Sequence, residues 1–150
     1  DYTAMIKECP QGGLVHLFPA GMALLLAGLL NQQATEPSLD YEYFKSKVQP
    51  IFVAKRAGHA RCIACHGSGT PLRLQPPSAG GTSFTEEESK KNFEVVRRVA
   101  FAGNPRSPLL IHPLEETAGG EFFHSGGKHF ASQKDPEWQV LRTWIMGQGK

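Results

Sequence analysis

Beyond residue 40, apolar residues recur at intervals of three and four, the spacing of one helix face. Tyr41, Phe44, Val48, Ile51 and Phe52 form the first such stripe, and Asp40 stands before it as an N-cap. Pro50 predicts a kink or a split in this helix, because proline donates no N–H and its ring crowds the carbonyl four residues back. A second helix is predicted from Thr85, where Thr85 and Glu88 have capping-box spacing, with Phe93, Val96, Val99 and Ala100 facing inward. A third begins at Asp135-Pro136, an N-cap followed by proline in the first turn, and carries Trp138, Leu141, Trp144 and Ile145 on one side. A short helical turn is expected around Ser107–Ile111. No alternating run is long enough to make a strand, and no internal repeat is visible, so the class is all-α.

The N-terminal part has a different pattern. From Cys9 to Thr35 there is no Lys, Arg, Asp or Glu. Leu14 to Leu30 reads as one apolar helix of roughly 25 Å, the short end of what crosses a bilayer core. A secretory signal peptide, with Lys7 in its basic region, is the rival reading. The expectation is a retained single-pass anchor: residues 1–35 form the anchor (span about 14–30) and the start of a linker, and 36–150 a small loop-rich domain. The polar linker Asn31–Leu39 would hold that domain near the lipid surface. His16 and Pro19 fall early in the span, where an imidazole reaches the interface and a proline costs little; a pigment-ligating His16 is the sharper alternative. Cys9 lacks the small residues that precede a lipidated cysteine.

Composition narrows the function. A net charge of +2, with no Lys/Arg block, argues against nucleic acid as a partner. Sixteen glycines and eleven prolines point to a loop-rich domain. Of the three cysteines, two lie in Cys62-Ile63-Ala64-Cys65-His66, which has the spacing of a c-type haem attachment site. Two thiols three positions apart can each add across a vinyl group of one porphyrin, and His66 then supplies the proximal axial bond to iron. A structural zinc site would need a second Cys/His pair at ligand spacing. A thioredoxin-like dithiol would need a preceding strand. One covalent haem c is therefore the expected cofactor.

Around this motif the chain resembles the class I-like monohaem cytochromes c over roughly residues 40–146. The resemblance is carried by a helix before the attachment site and by Leu141-Arg142-Thr143-Trp144-Ile145 in the terminal helix. Val48-Gln49-Pro50-Ile51-Phe52 is similar to the lead-in of bacterial cytochrome c domains, and His124-Ser125-Gly126-Gly127-Lys128-His129-Phe130 to their His-x-Gly-Gly segment. It implies a domain on the outer side of an energy-transducing membrane. With the anchor, the expected localisation is the cell membrane, single-pass, with the haem domain periplasmic. Narrower still, the chain resembles the cytochrome subunit of homodimeric photosynthetic reaction centres.

The sixth iron ligand is left open by the residues. The family usually places Met on the loop before the terminal helix, but Met5 and Met22 lie towards the N-terminus and Met146 ends the last helix. His124 occupies the expected loop and is the first choice, with His66 and His124 as the metal pair. His129 and Met146 compete with it, and His59 and His112 are further candidates. His66 should donate its other ring N–H to a carbonyl at Pro71 or near Pro76-Pro77. Arg73, Arg97, Arg98 and Arg106 are candidate partners for the haem propionates. The expected function is single-electron transfer, without catalysis, to an integral membrane redox complex, a photosynthetic reaction centre before a respiratory oxidase. A respiratory-chain carrier is the alternative, as is a haem enzyme or gas sensor with a displaceable sixth ligand. A catalytic haem would need a distal acid–base pair, which the sequence does not show.

Overall fold

The computed structural model describes residues 36–78, 81 and 83–149. All of them belong to one unit, Thr35–Lys150. In chain order its α-helices are α1 (Tyr41–Tyr43), α2 (Cys62–His66), α3 (Glu86–Val96), α4 (Pro108–Ile111) and α5 (Pro136–Ile145). Among the described residues there is no strand, only two isolated bridges, so the helical class expected from the periodicity holds for them.

The first apolar stripe forms a continuous helical run, but not an α-helix throughout. Asp40 caps it, accepting from the Tyr43 N–H at 2.6 Å. After α1 the chain widens into a π-turn over Phe44–Val48, closed by the Gln49 N–H on the Phe44 carbonyl, and then tightens into a 3₁₀ turn, Gln49–Phe52. Pro50 supplies the physical reason. It cannot donate, and its ring would strike the Ser46 carbonyl in an unbroken α-helix, so the change of hydrogen-bond register falls around it. The expected kink is thus a change of helix type. Phe44, Val48, Ile51 and Phe52 are all buried.

Thr85 and Glu88 form the expected capping box of α3. The helix stops at Val96, earlier than the stripe suggested, and Val99 and Ala100 follow in turns whose N–H groups both return to the Val96 carbonyl. The Asp135 carboxylate caps α5 by accepting from the N–H groups of Glu137 and Trp138, and Pro136 occupies the first helical position. Trp138, Leu141, Trp144 and Ile145 are buried, as their spacing required.

An aromatic cluster joins the first helical run and α5 to α3. The Trp144 ring lies 5.4 Å from Phe44 and 6.2 Å from Phe93, and Phe44 and Phe93 are 5.4 Å apart. The Trp144 indole N–H donates to the Asp40 carbonyl at 2.7 Å, so the last helix is bonded to the cap of the first. The apolar ring system and its one polar handle are both satisfied.

The expected membrane anchor is not supported. No described helix is long and apolar enough to cross a bilayer. The longest, α3, has 11 residues, about 16 Å at 1.5 Å per residue, against a hydrocarbon core of about 30 Å. The single-pass, cell-membrane localisation read from the sequence is accordingly corrected. The stretch 14–30, with His16, and also Cys9, lie outside the described residues.

The Trp144 packing gives a direct test. Trp144→Ala should cost about 3–5 kcal/mol in chemical denaturation, the range for truncating a buried tryptophan. Trp144→Phe keeps most of the ring volume but loses the bond to Asp40, and should cost clearly less.

Candidate functional site

Helix α2 is a single turn, and its shortness is useful. Positions three and four apart share a helix face, so Cys62, Cys65 and His66 all line one cavity of about 260 Å³. Both cysteines are free thiols. The opposite walls are apolar: Phe52 from the 3₁₀ turn, Leu74 from the loop after α2, Leu109 from α4, Phe130 from the long loop and Leu141 from α5. Burial pushes the Cys62 thiol up, although the Arg56 guanidinium acts in the opposite direction.

His66 is held by the chain that follows it. Its Nδ1 lies 3.1 Å from the Leu72 carbonyl and 3.1 Å from Thr70 Oγ1, and the Thr70 hydroxyl itself donates to the same carbonyl at 2.8 Å. A carbonyl only accepts, so Nδ1 carries the proton and Nε2 keeps a free lone pair. The carbonyl partner is Leu72, not Pro71 or the Pro76-Pro77 stretch expected from the sequence. Burial holds this imidazole below the usual histidine range; the Leu72 bond opposes the shift and His124 adds to it. The neutral form is the one that binds metal.

His124 comes to the same cavity from the far side. The loop that carries it is closed at its base, where the Phe130 N–H donates to the Pro113 carbonyl and the Glu115 N–H to the Phe130 carbonyl, at 3.0 and 2.9 Å. Lys128 ties the two arms together by donating to the carbonyls of His112 and Glu121. At the tip, His124 Nδ1 lies 2.6 Å from the Gly127 carbonyl, so this ring too has Nδ1–H engaged and Nε2 free. Gly127 has φ +81°, a conformation that side chains with a β-carbon resist. A β-carbon on Gly126 would lie 3.4 Å from the His124 ring.

The ring centres of His66 and His124 are 6.2 Å apart and their planes are 16° from parallel. A metal between two imidazole nitrogens needs about 2 Å on each side, plus roughly 1 Å from each nitrogen to its ring centre, about 6 Å in all. Two thiols on the cavity wall and two imidazoles at this spacing, each engaged at Nδ1, are the donors that the haem expected from the sequence would use. When bound, such a group would be held by Cys62, Cys65, His66 and His124.

The other sequence candidates are distributed differently. His129 and His112 also line the cavity. His112 is paired through Nδ1 with Glu121 at 2.7 Å. His59 is exposed, and its ring lies 5.1 Å from that of His129. Met146 follows the end of α5 and is not among the residues that line the cavity. None of Arg73, Arg97, Arg98 and Arg106 lines it either; Arg61 does, and Arg97 is paired with Glu94.

Two supports escaped the sequence reading. Asn92, on the buried side of α3, clamps Gln75 by accepting from its N–H at 2.6 Å and donating to its carbonyl at 3.1 Å. Arg56 donates to the His129 carbonyl, pairs with Asp135 and Glu137, and lies 4.6 Å over the Phe130 ring. Polar side chains that bond to distant backbone leave no periodic trace; only their burial, once the fold is known, marks them.

The His124 loop can be tested by strain alone. Gly127→Ala places a β-carbon in the left-handed region and should cost about 1–2 kcal/mol in urea unfolding. Its signature beyond stability should be a changed chemical environment at His124, read by NMR. Neither a protein-family model, nor a curated protein, nor a solved structure gives a significant match to this chain.

Proposed function

We propose that this chain is a class I-like monohaem cytochrome c that carries single electrons, with His66 and His124 as the axial pair. One observation carries the reading. The Cys-x-x-Cys-His turn, which occurs once in the sequence, lines a cavity that also holds the His124 imidazole, its ring centre 6.2 Å from that of His66 and its plane 16° from parallel. A redox dithiol has no use for that second ring, and no group of three or more His, Cys, Asp or Glu side chains among the described residues is placed to hold a bare ion such as zinc.

When bound, the haem supplies a one-electron couple. The residues do the rest. Thr70 and Leu72 fix His66 in the Nδ1–H tautomer, and the Gly127 carbonyl does the same for His124. Both rings are therefore oriented before ligation, which limits rearrangement between oxidation states. The apolar side chains of Phe52, Leu74, Leu109 and Leu141 in the cavity wall would keep water from a bound haem. Two histidines favour a lower potential than a His/Met pair. The partner is inferred to be another redox protein; an acceptor chosen because of an anchor has lost that support.

Produced with a haem-attachment system, the chain should gain the mass of one haem under denaturing conditions, and acidic acetone should not extract it. Cys62→Ala and Cys65→Ala together should abolish the attachment. The reduced protein should be low-spin and indifferent to carbon monoxide, whereas His124→Ala should become high-spin and bind it. Carbon monoxide binding by the reduced wild type would point instead to a gas-binding or enzymatic haem. A methionine–iron charge-transfer band in the oxidised wild type would exclude His124 as the ligand.

A further inference from the structure

Two aromatic rings stand in solvent beside the cavity. Phe122 is 83% exposed and Phe123 72%, and the residue that follows them, His124, lines the cavity. A single exposed apolar side chain is ordinary. Two adjacent phenylalanines left this open, on a domain that buries its other apolar stripes, mark a contact surface.

Charge is divided across the same mouth. Between Glu42 and Glu86 the sequence has no Asp or Glu, whereas Lys45, Lys47, Lys55, Arg56, Arg61 and Arg73 all fall there. Lys45 is paired with Glu86, and Arg56 with Asp135 and Glu137. Lys47, Lys55, Arg61 and Arg73 are exposed and have no ion-pair partner among the described residues. Between Arg106 and Lys128 the balance is reversed: there is no Lys or Arg, and Glu115, Glu116 and Glu121 fall there. Both stretches build the cavity. Arg61, Cys65 and Leu72 come from the first, His112 and His124 from the second. One wall is therefore basic and the other acidic, and the two phenylalanines belong to the acidic one, directly after Glu121.

A partner for this surface must offer an apolar centre and both signs of charge in the opposite order. A wholly acidic partner would meet Glu115, Glu116 and Glu121 as like charges. A second copy of the chain meets the requirement by symmetry. A two-fold axis running between the walls sets the basic wall of each copy against the acidic loop of the other and brings the phenylalanines together. The net charge of only +2 leaves little long-range repulsion to oppose the approach.

We propose that the cavity mouth is a self-association surface, with Phe122 and Phe123 at its centre and Arg61 of each copy facing Glu121 of the other. The patch is small, so the pair is transient. Association itself needs no haem. Its use rests on the haem reading above, under which two redox cavities meet mouth to mouth and an electron can pass between copies.

Sedimentation equilibrium of the full chain, with and without attached haem, tests the proposal. At about 0.01 M salt, where the Debye length is about 30 Å, the average mass should rise with concentration towards that of two chains. At about 1 M, where that length is about 3 Å, it should fall back. Replacing both rings, Phe122→Ser with Phe123→Ser, should weaken association about tenfold or more. Arg61→Glu alone and Glu121→Lys alone should each weaken it, and an equal mixture of these two variants should restore it, since each charge then meets its opposite. A mass that does not change with concentration at low salt overturns the proposal, as does association that survives loss of both phenylalanines. A mixture that associates no better than either variant alone also overturns it. Should a charge variant fail to fold, the phenylalanine variant decides, because rings so exposed contribute little to the core. A monomeric chain that binds vesicles of anionic phospholipid through Phe122 and Phe123 overturns the proposal in favour of a lipid surface. A chain that pairs as expected but takes up no haem overturns the electron-transfer reading alone and leaves the self-association surface standing.

Discussion

Two imidazoles from distant parts of the chain are held close together in the wall of one cavity. His66 sits on a helix turn and His124 on a loop far along the chain, yet their centres are 6.2 Å apart with planes nearly parallel. Each ring is bonded at Nδ1 to a carbonyl from its own neighbourhood, Leu72 for one and Gly127 for the other. Local bonds thus set orientation, and distant packing sets separation. Separation depends on the core: α2 follows the buried 3₁₀ turn, and the His124 loop is bonded at its base to the stretch after α4. α5 closes the arrangement, joined to the Asp40 carbonyl through Trp144.

The division of labour between α-helix and irregular chain follows from this. Only α3 and α5 exceed two turns, and neither carries His66 or His124. They supply buried aromatic and aliphatic surface, the main source of stability in a domain this small. The chemistry-bearing residues sit on a one-turn helix and a glycine-containing loop, where the backbone can turn sharply enough to bring side chains to a common point. Gly120 shows how tight that packing is, since a β-carbon there would fall 1.9 Å from the Leu114 carbonyl.

Much of this was legible in the residues, and the exceptions share a cause. The capping box at Thr85, the Asp135-Pro136 start and the inward stripes follow from local rules, because caps and periodicity act within a turn or two. Pro50 announced a break, but its form, a π-turn passing into a 3₁₀ turn, depended on burying Phe44 and Phe52 together. The early end of α3 at Val96 was hidden because Ala100 still faces the core after the helix has stopped. At the site, the Cys62–His66 turn was singled out by spacing and His124 by the family resemblance and the lack of a loop methionine, and the structure brings these residues to one cavity. The Leu72 carbonyl, Arg56 and Asn92 were not legible, since a backbone acceptor has no sequence signature and a buried polar clamp looks like a surface residue. The apolar stretch 14–30 gave the reading that failed: hydropathy measures how a segment partitions, and the localisation built on it found no support among the described helices.

Arg56 ties together parts of the molecule that would otherwise open separately. Its guanidinium reaches the His129 carbonyl, the Asp135 cap of α5, Glu137 in the first turn and the face of Phe130. A fluctuation that frees the base of the His124 loop must therefore loosen the start of α5 as well, and the reverse holds too. Loops that shape a cavity are usually among the segments with the lowest local opening free energy. Here that opening is linked through Arg56 to loosening the start of the terminal helix, so cavity wall and helix are expected to exchange their amide hydrogens together.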